Sequence, residues 1–160
     1  MDFRIAELPE TKLVGLHLQM SFAQNRTFEL WRSFMPRRKE IVNAESPDLF
    51  SMQIFDSSTD FSKMELDATF EKWAAVPVSE FSRIPDGMET FTIPTGKYAV
   101  FIHKGSASDG PKTFGYIFGE WLPKSGFAID ARPHFEILGE KYKNDSVDSE
   151  EEIWIPIRVD

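Results

Sequence analysis

The sequence predicts an α+β fold: two strand-helix-strand-strand halves, about residues 1–84 and 85–160, related by a pseudo-twofold axis, with antiparallel sheets forming a central ligand cleft. Three observations lead there. Segments of period two outnumber segments of helical period. The order of elements in the first half recurs in the second. Short echoes recur at nearly constant spacing: Lys12-Leu13-Val14 and Lys97-Tyr98-Ala99 are 85 residues apart, Thr27-Phe28 and Thr113-Phe114 are 86 apart, and Met35-Pro36 and Leu122-Pro123 are 87 apart. Halves of about 80 residues are marginal alone. Joined, they bury their apolar faces, and the seam between them is where a pocket is expected.

Each element follows from its local pattern. Phe3 to Leu8 alternates and ends at Pro9, and Leu13 to Met20 is a second extended stretch. Arg26 to Ile41 changes period: Phe28, Trp31, Phe34 and Met35 form a helical stripe, with Pro36 as its break. Ser46-Pro47-Asp48 turns into a strand over Phe50 to Phe55, a polar loop covers Asp56 to Asp60, and Phe70 to Phe81 is a strand carrying Trp73. The boundary between halves falls between Phe81 and Met88. Met88 to Thr92 is extended, Pro94-Thr95-Gly96 turns, and Lys97 to Lys104 is a strand. After the loop from Gly105 to Gly110 comes a helix over Lys112 to Leu122, stopped by Pro123 and Gly126. Arg132 to Glu140 and Ile153 to Val159 are strands, separated by a charged loop over Lys143 to Glu150.

Composition removes several classes of function. Lys and Arg total 18 against 26 Asp and Glu, a formal charge of −8. Nucleic-acid binding draws its affinity from basic groups that displace counterions, so this chain is not expected to grip nucleic acid directly; the patch Arg37-Arg38-Lys39 does not change the sum. There is no cysteine, which excludes disulfides and thiolate metal sites. His17, His103 and His134 lie on separate strands without ligand spacing, so no metal is expected. No phosphate loop or nucleophile elbow is present, and no cofactor is called for. The chain starts directly in alternation, without a secretory signal, and no apolar run approaches the roughly 20 residues that span a bilayer. A cytoplasmic protein without a membrane anchor is expected.

The last strand carries the most chemistry. With period two, Glu152, Trp154 and Pro156 share one face and Ile153, Ile155 and Ile157 the other. A carboxylate beside an indole suits a cationic guest, the acid giving countercharge and the ring a cation–π surface. Glu136 is a second candidate, on the face of His134 and Leu138. On the second helix Phe114, Ile117, Phe118 and Trp121 form a stripe at i, i+3, i+4 and i+7, from which Trp121 and Phe118 are candidate wall residues. Trp73 and Tyr98 are further candidates on strands, their facing open.

Three runs give a resemblance: Thr113 to Phe127, Arg132-Pro133-His134-Phe135-Glu136-Ile137-Leu138, and Glu151-Glu152-Ile153-Trp154-Ile155-Pro156-Ile157. Their order and spacing resemble the GyrI-like small-molecule-binding family, which also supplies the effector-binding domain of some AraC-type and MerR-type multidrug regulators. The likeness is specific from about Gly96 to Ile157. It implies a duplicated fold, and it matches Glu152 to the pocket glutamate of drug-binding members. Where the family pattern carries a Tyr, this chain has Leu138. Strand-like sequence within the first few residues leaves no room for a helix-turn-helix, so this is expected to be a stand-alone domain, with any regulatory role requiring a protein partner. The resemblance implies binding of a lipophilic, often cationic molecule. It also admits a cofactor-free hydrolase of cyclopropanoid toxins, with Glu152 acting on water and Trp121 or Tyr98 holding substrate, and a gyrase-modulator-like role in which the acidic surface meets a basic protein. The sequence does not specify an oligomeric state.

Overall fold

The computed structural model describes residues 2–56, 58–63, 65–106, 109–139, 142 and 148–159. The first part of the chain gives β1 (Phe3–Leu8), β2 (Thr11–Ser21), α1 (Thr27–Phe34), β3 (Leu49–Ile54) and β4 (Thr69–Pro77). The second gives β5 (Glu89–Ile93), β6 (Gly96–Lys104), α2 (Gly110–Tyr116), α3 (Leu122–Ser125), β7 (Phe127–Ile129), β8 (His134–Leu138) and β9 (Glu150–Val159). The class is α+β, dominated by one antiparallel sheet. Its strands run β1-β6-β9-β8-β3-β4-β2-β5, and β7 pairs with β9.

Two short links force this sheet to curl. β5 and β6 are joined only by Pro94 and Thr95, yet six strand positions separate them. In a flat sheet those positions would be about 29 Å apart, at 4.8 Å per strand. The link from Ile93 to Gly96 spans at most about 11 Å, at 3.8 Å per Cα step. Pro9 and Glu10 impose the same demand between β1 and β2. The ends of the sheet therefore approach each other, and all eight strands of the path contribute to one inner cluster, including Leu8, Leu13, Phe50, Met52, Trp73, Ile93, Tyr98, Phe135 and Trp154.

Helices cover the outer face. α1 packs Leu30 and Phe34 on Val14, Ala74 and Val76. The second helical segment packs Ile117 and Trp121 on Ala99, Phe101, Ile153 and Ile155. The apolar stripe of α1 differs from the sequence expectation. Phe28 is 79% exposed and Met35 is exposed, while Leu30 and Phe34 make the contact with Trp31 beside them. Phe28 precedes Leu30 by two residues, about 200° around the helix, and so lies on the side away from the sheet. After Phe34 the chain tightens into a 3₁₀ turn over Met35–Glu40, with Pro36 unable to continue the α-helical bonding. In the second segment a π turn over Ile117–Trp121, closed by the bond from Leu122 N–H to the Ile117 carbonyl, joins α2 to α3.

Other boundaries shift modestly. The strand expected to reach Phe81 stops at Pro77, with Val78 adding one bridge to Ala44. β8 begins at His134, since Pro133 lacks a donor. β9 begins three residues earlier than expected, at Glu150. Most of the charged loop expected over Lys143 to Glu150 lies outside the described residues, as does Glu140.

Candidate functional site

β9 presents alternate side chains to the two faces of the sheet, and opposed residues of antiparallel neighbours share a face. Ile102 and Ile137 lie opposite Glu152, and Val100 and Phe135 lie opposite Trp154. Glu152 and Trp154 therefore point inward. The Trp154 indole stacks on Phe135 (5.3 Å, 17°) and meets Tyr98 edge-on at 5.7 Å. Its Nε1–H donates to Glu152 Oε1 at 3.0 Å. The other carboxylate oxygen accepts from Arg4 Nη2 at 3.1 Å, and the Arg4 guanidinium lies 5.8 Å from the centre of the Trp154 ring.

Beside Glu152 opens a cavity of about 310 Å³. Its apolar surface comes from Ile102 and Ile137, and its rim from Asp48, Gly139, Glu150, Glu151 and Glu152. The volume lies at the lower end of the small-molecule range. Four carboxyl groups around two isoleucines make a seat for an apolar body bearing positive charge.

Glu151 belongs to the outer face yet also lines this cavity. Burial and the neighbouring Glu136 push its carboxyl up to about 7, against the pull of Lys72. Lys72 is wholly buried, and burial lowers its ammonium pKa against the countercharge of Glu136 and Glu151. Gln53 Nε2–H donates to Glu136 at 2.9 Å. His134 completes this row: it stacks on Phe61 at 4.9 Å, meets Phe55 edge-on, and burial lowers its pKa to about 3.

The candidates named from sequence thus fall on two sides of the sheet. Glu152, Trp154, Tyr98 and Trp73 share the inner face. The Tyr98 hydroxyl donates to the Pro133 carbonyl at 2.7 Å, and burial raises its pKa. Trp73 donates its Nε1–H to Glu71 and carries the His17 ring stacked at 4.5 Å and 18°. Glu136, Trp121 and Phe118 belong to the outer side. Phe118 stacks on Phe61 at 5.5 Å. Trp121 packs edge-on against Phe101 at 4.9 Å and Phe3 at 5.1 Å. The sheet separates Trp121 from Glu152, so the pair named for hydrolysis does not converge on one substrate position.

Arg4, Lys72, Glu151, Ile102 and Ile137 were not singled out from the sequence. Period-two alternation already sets Glu151 opposite to Glu152, but only the pairing of β6, β8 and β9 shows that one cavity touches both. Among the described residues no group of three or more His, Asp or Glu side chains is arranged to hold a metal, and no helix is long and apolar enough to cross a membrane.

The model of the GyrI-like small molecule binding domain matches residues 1–158. The transcriptional regulator BrlR of Pseudomonas aeruginosa is 29% identical over 158 residues, covering 98% of this chain and 56% of that protein; the chain thus spans just over half of the regulator's length. Among solved structures, SAV2435 bound to tetraphenylphosphonium superposes with a TM-score of 0.73 at 18% identity, covering 99% of this chain and 94% of that one. The C-terminal domain of EcmrR superposes with a TM-score of 0.71 at 17% identity, covering 99% and 98%. A hydrolase encoded by lin2189 from Listeria innocua gives a TM-score of 0.63 at 11% identity, covering 98% and 91%. At these identities the structural matches establish a shared fold.

Proposed function

This chain belongs to the GyrI-like small-molecule binding family, and we propose that its guest is a lipophilic cation seated in the cavity at the start of β9. The observation that carries the reading is the cavity itself: an isoleucine surface ringed by Asp48, Glu150, Glu151 and Glu152. Glu152 supplies countercharge, Trp154 holds its carboxylate in place, and Ile102 and Ile137 contact the apolar body. The tetraphenylphosphonium bound to SAV2435 belongs to that protein and motivates the choice of probe.

We also read the fold as a duplication. Exchanging β1 with β5, β2 with β6, β3 with β8 and β4 with β9 reverses the strand order onto itself, which supports a pseudo-twofold axis between β3 and β8. The first strand of each half pairs across into the other half, β1 with β6 and β5 with β2. Each half also carries a carboxylate two residues before an indole that donates to it, Glu71 with Trp73 and Glu152 with Trp154. As an effector domain in the cytoplasm the chain would act on transcription through a DNA-binding region outside these residues, with no cofactor.

The test is calorimetric titration of tetraphenylphosphonium and neutral triphenylphosphine oxide against wild type and Glu152→Gln. The amide keeps the outline and removes the charge. We expect the phosphonium to weaken about tenfold or more, the loss of one charge-assisted contact, and the oxide to change little. Equal losses for both would reduce Glu152 to a shaping role. No loss for either would move the seat away from it, with Glu136 the next acid to examine.

A further inference from the structure

Glu152, which borders the seat proposed above, already holds a cation belonging to the chain. Arg4 lies on β1 opposite Val100 of β6, and Val100 in turn lies opposite Trp154 of β9. The Arg4 side chain reaches across the intervening strand. There it makes the two contacts that a cationic guest would use: its Nη2 bonds Glu152 Oε2 at 3.1 Å, and its guanidinium lies over the Trp154 ring. The first half shows an analogous arrangement. His17 stacks on Trp73 and places Nε2 2.8 Å from Glu89 and Nδ1 3.4 Å from Glu71. At both indole–carboxylate pairs a basic side chain covers the ring and meets an acid, His17 from the adjacent strand and Arg4 from one strand further.

We propose that Arg4 is a built-in competitor for the cation seat, so that a guest takes Glu152 and the Trp154 face only by displacing the Arg4 guanidinium. This rests on the reading of the cavity as a cation site. Geometry makes the displacement inexpensive. Arg4 sits on a terminal strand of the sheet, and its side chain is 51% exposed, so water can solvate the released guanidinium. The contact it gives up is the exposed kind of ion pair, which contributes little, with a cation–π contact of similar rank. Arg4 then sets selectivity: neutralising Glu152 in the empty protein lowers affinity for cations and leaves affinity for neutral guests of similar outline nearly unchanged.

The test compares wild type, Arg4→Met and the double variant Arg4→Met with Glu152→Gln, each titrated with tetraphenylphosphonium and triphenylphosphine oxide. Methionine keeps an unbranched apolar stem over Trp154. The expected result is that Arg4→Met binds the phosphonium about three- to fivefold more tightly and the oxide within twofold of wild type, and that the gain disappears in the double variant. Weaker phosphonium binding by Arg4→Met would overturn the proposal, since Arg4 would then orient Glu152. Equal tightening of both probes would also overturn it, by making Arg4 a steric wall. If none of the three proteins binds either probe, the cavity reading fails and this inference with it. If wild type binds the phosphonium and Arg4→Met only matches it, the cavity reading stands and the competitor does not. A measurement on the unmodified protein is independent of any folding defect. The Arg4 Nε–H resonance, assigned with Arg4→Lys, should move towards that of a free arginine as phosphonium is added; an unmoved resonance at saturation refutes displacement.

Discussion

Glu151 and His134 are expected to oppose each other in the pH dependence of stability, and removing either unmasks the other. The Glu151 carboxyl has an ordinary value of 4.5 and is pushed up to about 7 by burial and by Glu136, with Lys72 pulling the other way; His103 faces it across β6. Between these values the folded state holds a proton that the unfolded chain has released, so stability falls as pH rises through the window. Each factor of ten in acidity is worth 1.36 kcal/mol. The whole effect is at most about 3 to 4 kcal/mol, and smaller where water reaches the carboxyl through the cavity. His134 has an ordinary value of 6.5 and is lowered to about 3. The unfolded chain takes up a proton that the buried ring refuses, so stability falls as pH drops from 6.5 towards 3. From about pH 4.5 to 6.5 the two slopes have opposite signs and similar size, about 1.4 kcal/mol per pH unit each at full strength. Glu151→Gln should make the protein lose stability on acidification across this range. His134→Phe, which keeps the ring stack with Phe61, should make it gain. The assay is urea unfolding of wild type, both single variants and the double variant at pH 5, 6 and 7. A Glu151→Gln curve parallel to wild type would refute the argument, because it would mean that the carboxyl titrates alike in both states.

Tyr98→Phe should cost about 1 to 2 kcal/mol in chemical unfolding, since it leaves the buried Pro133 carbonyl without its donor. An unchanged midpoint would show that water replaces the hydroxyl. Gly15→Ala should destabilise by about 3 kcal/mol or more, because its Cβ would stand 2.1 Å from the Ala74 carbonyl oxygen of β4. Gly115→Ala is the contrasting case: nothing lies within 4 Å of its Cβ, and within α2 it should stabilise by about 0.5 to 1 kcal/mol. Thermal unfolding of the two glycine variants that ranked them in the reverse order would contradict the register of β2 on β4.

Alternation made it legible that Glu152 and Trp154 share one face, because a strand's two faces follow from parity alone, while which face turns inward came only from the sheet pairing. The strands β6, β8 and β9 were legible for the same reason. Parity does not say what lies opposite. Arg4 reaches Glu152 only because β1 pairs with β6 in the other part of the chain, a registration set by the curl of the sheet and not by any local signal. Lys72 alternates with Glu71 and Trp73 in sequence, and nothing local marks it as the member buried against Glu136 and Glu151. Trp121 failed as a partner of Glu152 for a similar reason. Its helical stripe shows which side of the helix is apolar, while the face of the sheet that receives the stripe is decided by tertiary packing. Phe28 shows the same limit within one element: helical spacing groups it with Trp31 and Met35, while packing selects the side that carries Leu30 and Phe34.

The charges of the site are arranged about one strand end, and this has a consequence for binding. Glu151 and Glu152 are consecutive on β9, so their side chains leave on opposite faces, yet both border the same cavity. Glu152 meets Arg4 on the inner side, and Glu151 feels Lys72 and Glu136 on the outer side. A cation in the cavity therefore acts on two charge networks at once. On the inner side it competes with a guanidinium for a carboxylate. On the outer side it favours the ionised form of a carboxyl that burial holds protonated near neutrality. Binding should then release up to one proton at about pH 6 to 7, visible as a dependence of the calorimetric enthalpy on the ionisation enthalpy of the buffer, and absent in Glu151→Gln. A neutral guest of similar shape disturbs neither network and should release none.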